Sequence, residues 1–231
     1  MTQREQPREV VIYGASGFSM ALRDMIENGL TPQKWRVVAH IDDFAGEDAG
    51  KTLAGVQVIG FQVWQDRYRD HPCAIAIGDC GARRKLANKI TDAGGELLTA
   101  YPKGGTVSPH IQVADGTIIG QPAYIGPFTA FGLNVLQMPM SVVGHDVVIG
   151  DYCTLCSSTS IAGYVVLEDE VFLGAGAVVM NGRPGSPLRI GRGAVIAAGA
   201  VITKSVPPGA KMMGNPARPI RELAARRRPP V

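Results

Sequence analysis

From residue 107 onward an apolar side chain returns at every sixth position. Val107, Val113, Ile119, Ile125, Phe131, Val143, Ile149, Leu155, Ile161, Leu167, Leu173 and Val179 share one register, and Gln137 is its single interruption. The register resumes at Ile190, Ile196 and Ile202, after Arg183-Pro184-Gly185-Ser186-Pro187 lengthens the spacing by five residues. With one buried aliphatic per repeat, each repeat supplies one flat face, and three faces close a triangular coil of about 18 residues. Some five such coils follow, each hydrogen-bonded to the next around an aliphatic column. Glycine follows the register residue at 120, 126, 132, 144, 150 and 174, where a side chain would obstruct the corner. The Arg183–Pro187 segment cannot continue a strand and is expected to be an exposed loop leaving one corner of the coil.

Composition agrees with thin layers and many turns: 29 glycines, 45% hydrophobic residues, and only 6% aromatics. A net charge of +3, with no basic stripe, gives no case for a nucleic-acid partner. Arg226-Arg227-Arg228 reads as a solvated tail. The N-terminus carries Arg4, Glu5, Arg8 and Glu9 before its first apolar run, and no run reaches membrane-spanning length, so no membrane insertion and a cytoplasmic location are expected. Of four cysteines only Cys153 and Cys156 are close; they lack partners for zinc and are expected on different faces of one coil as small apolar fillers. No metal is predicted.

Residues 1–100 have a different rhythm. Val10–Tyr13 is a short apolar run ending in Gly14-Ala15-Ser16-Gly17, followed by a helical pattern through Met20, Leu22, Met25 and Ile26. A second strand spans Val37–Ile41 and ends at Asp42-Asp43; a third, Ala74–Ile77, ends at Gly78-Asp79 before a helix over 83–93. This order predicts a small parallel-sheet, Rossmann-like α/β domain with ligands at the carboxyl ends of its strands. The turn at Gly14, Ser16 and Gly17 reads equally as a phosphate cradle or a plain turn, and Asp42 as a ribose or base acceptor or a cap. A β-helix domain over 101–231, with a C-terminal tail and a short helix near 220–226, completes the chain.

The hexapeptide register, Ala76-Ile77-Gly78-Asp79 with Arg83 and Leu86, His145-Asp146-Val147-Val148-Ile149-Gly150-Asp151, and Gly214-Asn215-Pro216-Ala217-Arg218 together resemble the hexapeptide-repeat acyltransferases. Within them the chain is similar to the sialic acid O-acetyltransferase and nucleotide-amino-sugar N-acetyltransferase group, over nearly its whole length. The resemblance implies a left-handed parallel β-helix, where the general rule for parallel crossovers would give the right-handed form. It implies a homotrimer with acetyl-CoA between subunits and a nucleotide-linked amino sugar on the α/β domain. His145 matches the general base, with Asp146 beside it. An amine or hydroxyl attacking a thioester must lose a proton, and imidazole, with an ordinary pKa of about 6.5, can take it at neutral pH. If the two adjacent residues lay in a strand they would point to opposite faces, leaving direct contact undecided.

The same resemblance implies acceptor contacts at Gly14, Ser16, Gly17, Asp42, Gly78, Asp79 and Met138. It implies coenzyme contacts at Thr154, Gly163, Gly174, Ala175, Ala198, Lys211, Pro216 and Arg218, with the pantetheine arm along small residues and a cation for the 3′-phosphate. The chain departs from the group at three points: Phe18 stands where many relatives have histidine, Met138 where they have asparagine, and Thr154 where they have a second histidine. Thr154 is expected to offer a hydrogen bond to the developing oxyanion. Three readings remain: acetyl transfer to a sugar, acyl transfer to a small non-sugar amine or alcohol, and a non-catalytic β-helix scaffold.

Overall fold

A computed structural model of the chain describes residues 6–28, 31, 33–44 and 50–225. Arg4, Glu5 and the 226–228 arginine run lie outside them. The chain divides into two compact units, Met1–Pro102 and Lys103–Val231.

The first unit is a five-stranded sheet with helices. Its elements are β1 (Arg8–Tyr13), α1 (Gly17–Glu27), β2 (Trp35–Ile41), β3 (Thr52–Leu53), β4 (Val56–Ile59), α2 (Phe61–Arg67), β5 (Cys73–Ile75) and α3 (Cys80–Asp92). The strand order is β3-β4-β2-β1-β5, parallel except for β3 against β4. Val10, Val11 and Ile12 have no solvent exposure because β1 lies inside the sheet, which is why the sequence shows an apolar run and not an alternation there. Leu22 and Ile26, four apart on α1, are buried, as amphipathic spacing requires.

The β3–β4 hairpin and α2 carry no legible period at two, four and seven residues of length. The hairpin instead has a turn signal, Ala54-Gly55, with both residues at positive φ. Helix α3 begins at Cys80, three residues earlier than the apolar pattern indicates, because Asp79 caps it by accepting from the Ala82 N–H at 2.7 Å.

The second unit is a parallel β-helix of five coils with three faces. The first face stacks 118–119, 136–137, 154–155, 172–173 and 195–196; the second stacks 124–125, 142–143, 160–161, 178–179 and 201–202; the third stacks 112–113, 130–131, 148–149, 165–167 and 188–190. Partners lie 18 residues apart, as in Val142 with Ser160 and Val143 with Ile161.

The register residues fill the interior: every one from Ile119 to Ile202 is buried. A second interior column, two residues earlier, holds Thr117, Ala123, Thr129, Val135, Ser141, Val147, Cys153 and Thr159. It was not legible as a hydrophobic period because it mixes small polar and apolar types. The hydroxyls of Thr117, Thr129 and Ser141 bond backbone carbonyls, as Thr129 Oγ1 does to Gly144 O at 2.8 Å, whereas Thr159 Oγ1 has no partner among the described residues. Cys153 belongs to this column, and Cys156 follows the same strand, Thr154–Leu155. The two cysteines therefore share one face, which corrects the expectation of separate faces; the turn comes only after Cys156.

Each edge between faces has a left-handed residue every 18 positions. On the edge joining the second and third faces these are Phe128, Asp146 and Tyr164, with φ of 60°, 55° and 56°. Their N–H groups turn onto the coil below: Asp146 donates to Pro127 O at 3.0 Å, and Tyr164 to His145 O at 3.2 Å. Asparagine or aspartate adopts this conformation more readily than an aromatic does. Glycines such as Gly126 and Gly144 serve a different need. A Cβ on either would stand 2.7–2.8 Å from the backbone of the next coil.

The Arg183–Pro187 loop leaves the same edge as a tight turn closed by two Arg183–Ser186 hydrogen bonds. It is rooted on the previous coil by Gly182 N–H to Gly163 O at 3.0 Å and Leu188 N–H to Tyr164 O at 3.1 Å. The tail adds Lys211–Met213 to the first face, reverses as Arg218–Pro219, and enters α4 (Ile220–Ala225).

Gln137, the one break in the register, points inward with no exposure. Neither its Oε1 nor its Nε2 has a hydrogen-bond partner among the described residues. An unsatisfied buried polar group costs about 1–3 kcal/mol. Gln137→Leu, similar in volume, is therefore expected to raise unfolding free energy by about 1–2 kcal/mol. Chemical denaturation checks this; a lowered midpoint would show that the amide is satisfied in solution.

Candidate active site

The side chains of His145 and Asp146 meet. His145 Nδ1 lies 2.7 Å from Asp146 Oδ2, with the two side chains 52% and 38% exposed. The contact exists because the pair sits at a corner and not in a strand. The positive φ of Asp146 turns the chain, so consecutive side chains need not diverge to opposite faces. A carboxylate only accepts, so Nδ1 carries the proton and the Nε2 lone pair is left open.

Two further residues fix the ring. Tyr164, one coil above Asp146, meets the imidazole edge-on, with centroids 5.0 Å apart at 88°. Gly163, one coil above His145, lies against the ring: a Cβ there would stand 2.7 Å from both Cε1 and Nε2. The space at Gly163 is thus taken by the His145 imidazole, whereas the resemblance implies a pantetheine arm there. Tyr164 was not identified from sequence. Its signal was positional: a bulky residue where the turn needs a left-handed conformation.

Thr154 is not beside His145 within the chain. It stands on the first face, opposite the His145 edge, and is buried. Met138, Gly174, Ala175 and Ala198 occupy another edge, between the first and second faces. Gly174 is small because the next coil demands it, since a Cβ would lie 2.6 Å from Ala198 N, while Ala175 and Ala198 are exposed. The tail motif is strapped beside that edge, with Val201 N–H donating to Gly214 O at 3.0 Å and Ala217 N–H to Val201 O at 2.8 Å. Lys211 lines a cavity of about 620 Å³ with Pro207, Pro208, Pro219, Ile220 and Arg221. Pro216 and the exposed Arg218 are outside that lining; Arg221 was missed.

In the first unit a cavity of about 450 Å³ opens at the carboxyl ends of the parallel strands. Gly14, Ala15, Ser16, Asp42, Asp43, Phe44 and Lys85 line it. Gly14, Ser16 and Asp42 are thereby brought together. Gly17 begins α1, Asp79 is engaged as a helix cap, and the Gly78 carbonyl accepts from Arg83 at 3.2 Å.

Asp43 anchors one wall: Tyr13 OH donates to its carboxylate at 2.7 Å, and Lys89 Nζ lies 2.7 Å from Oδ1 and 4.0 Å from the Phe61 ring centre. Burial opposes ionisation of Asp43, but the bonds from Lys89 and Tyr13 outweigh it and hold its carboxyl below the ordinary range. Burial, reinforced by Asp43, pushes the Tyr13 phenol far up, so it remains a donor. Lys85, one turn before Lys89 on α3, lines the cavity itself, and neither lysine was singled out in the sequence, because which cation meets an acid depends on how α3 packs.

A β-helix of hexapeptide coils with a carboxylate-oriented histidine on one edge and a glycine-turn α/β unit before it defines an acyltransferase of the hexapeptide-repeat class. The PglD N-terminal domain family matches residues 9–90. GDP-perosamine N-acetyltransferase from Escherichia coli O157:H7 is 36% identical over 182 residues, covering 76% of this chain and 82% of that protein. Among solved structures, a mutant of perosamine N-acetyltransferase from Caulobacter crescentus in complex with CoA and GDP-perosamine has a TM-score of 0.80 at 26% identity, covering 91% of this chain and 96% of that one. WeeI from Acinetobacter baumannii AYE has a TM-score of 0.72 at 31% identity, covering 92% and 99%.

The chain belongs to the hexapeptide-repeat acetyltransferase family that contains these proteins, in the sialic acid O-acetyltransferase and nucleotide-amino-sugar N-acetyltransferase group. Its β-helix is the left-handed one, and it is an acetyltransferase.

Proposed function

We propose that the chain transfers an acetyl group from acetyl-CoA to the amine of a nucleotide-linked amino sugar in the cytoplasm, with His145 as general base. The observation that carries this reading is the 2.7 Å His145–Asp146 contact on an exposed edge, which leaves Nε2 free to accept a proton. The related enzymes named for GDP-perosamine, one of them in complex with CoA, support the donor and the acceptor class. His145 Nε2 takes a proton from the amine as its nitrogen bonds to the thioester carbonyl carbon. The C–S bond then breaks, and the imidazolium returns the proton to the thiolate. Asp146 stabilises the imidazolium in between.

The 450 Å³ cavity receives the nucleotide end. The backbone at Gly14–Ser16 and the start of α1 face the phosphates, and Asp42 accepts from the ribose or base. Lys211 and Arg221, in the tail cavity, neutralise the 3′-phosphate of the coenzyme.

We propose a homotrimer on geometric grounds. His145 lies on one edge of the prism, and Ala175, Ala198 and the tail lie on another, with the whole second face between them. A groove using both needs two copies. Tyr124 and Val142 on that face, 48% and 42% exposed, supply apolar contact area. A thiol-release assay with acetyl-CoA over GDP- and UDP-linked amino sugars is expected to show acceptor-dependent release, and light scattering a mass of three protomers. Release with none of these acceptors would sink the substrate reading, and a monomer at micromolar concentration would sink the groove.

A further inference from the structure

His40 is buried on β2, and the reaction does not use it. It has no solvent exposure; its Nδ1 lies 3.0 Å from the Gly14 carbonyl, and its Nε2 is buried without a hydrogen-bond partner among the described residues. A carbonyl only accepts, so Nδ1 carries the hydrogen and the ring is the neutral Nδ1–H tautomer. Burial holds its pKa below the ordinary imidazole value, which keeps that tautomer at neutral pH. The bond to Gly14 acts in the opposite direction and more weakly, and Arg23 adds to the lowering.

Gly14 has a φ of +123°, a conformation for which glycine is suited, and its N–H is anchored on Ile41 O at 2.8 Å. A trans peptide points its C=O and N–H in opposite directions. With the Gly14 carbonyl drawn inward to the imidazole, the N–H of Ala15 must face the other way, toward the cavity that Gly14, Ala15 and Ser16 line. Among the described residues this N–H donates to no backbone carbonyl. The next one along, Ser16 N–H, is already engaged by Ser19 Oγ at 2.7 Å.

We infer that His40 is a positioning residue for acceptor binding, one that locks the Gly14–Ala15 peptide so that the Ala15 N–H is aimed at a phosphate oxygen of the nucleoside diphosphate. This rests on the reading of the cavity as the nucleotide site. The sequence shows only a histidine inside an apolar strand two residues before Asp42; the role arises from the carbonyl it meets.

The test uses the full-length chain, with calorimetric titration of GDP, UDP and coenzyme A. His40→Leu keeps the bulk and removes the donor, and is expected to weaken the preferred nucleoside diphosphate roughly tenfold, the equivalent of about one hydrogen bond, with coenzyme A affinity unchanged. His40→Asn places an amide N–H near the position of Nδ1 and should recover most of the loss. In the wild type, the ¹⁵N–¹H resonance of Ala15 should shift on nucleotide addition, a readout that does not depend on either variant folding. Unchanged affinity in folded His40→Leu, equal weakness of the Asn and Leu variants, or an unmoved Ala15 resonance in nucleotide-saturated protein would each overturn the inference while leaving the nucleotide site intact. If the wild type binds neither GDP nor UDP, the nucleotide site itself fails, and this inference falls with it.

Discussion

Replacing His145 with alanine is expected to slow acetyl transfer by about 10²–10⁴-fold, the usual cost of losing a general base. The effect should fall on kcat. His145 is half-exposed, and its neighbours in the coil, Val143 and Ile149, are buried without it, so the fold and its melting temperature should persist. The small exposed residues Ala175 and Ala198 and the cations of the tail cavity lie away from this edge, so coenzyme A should bind as before. Single-turnover kinetics with a saturating acceptor separate the chemical step from binding. A folded His145→Ala protein that acetylates at near the wild-type rate would reduce His145 to a corner residue and remove the proton acceptor from the proposed reaction.

Gly163→Ala is the second large effect and the sharper test of geometry. Gly163 does not use the left-handed region, so alanine fits its backbone, and the collision with the imidazole is isolated from conformational strain. The methyl would lie 2.7 Å from Cε1 and Nε2, well inside van der Waals contact, so the ring must move. Tyr164 against the ring edge and Asp146 on Nδ1 limit where it can go. Displacing a reacting group by about 1 Å typically costs on the order of 10²-fold. We expect a kcat loss of that order with a melting temperature close to wild type. Gly144→Ala provides the contrast, since its added methyl meets backbone of the next coil and should lower the melting temperature. If Gly163→Ala behaves like Gly144→Ala, losing stability and not rate, the ring is not held where the structure places it.

These two glycines show the limit of reading from sequence. Gly144 directly follows a register residue and Gly163 lies one position later, and both sit on the same edge of the β-helix, in successive coils. Only the stacking of coils 18 residues apart puts the His145 ring over one and bare backbone over the other. Asp146 makes the same point. Read as a strand, residues 145 and 146 diverge; a positive φ at the corner brings them together, and that φ follows from where the coil turns.

What the sequence determined by itself was everything that follows from a short, regular period. Six-residue spacing dictates a face, three faces dictate a coil, and a column of aliphatics broken only at Gln137 dictates an interior. The alternation of apolar runs, glycine turns and helical patterns before residue 100 dictates a parallel α/β unit. These are local rules, satisfied residue by residue along the chain.

What only the tertiary structure decided concerns residues far apart in sequence or elements too short to have a period. The small second interior column, the β3–β4 hairpin and α2 belong to that group. So do the displacement of Thr154 to the face opposite His145, the Asp43–Lys89–Tyr13 wall, and the meeting of His40 with Gly14. A side chain's chemistry is fixed by its type, but its role is fixed by which carbonyl, carboxylate or empty volume the fold brings within about 3 Å of it, and no periodicity encodes that distance.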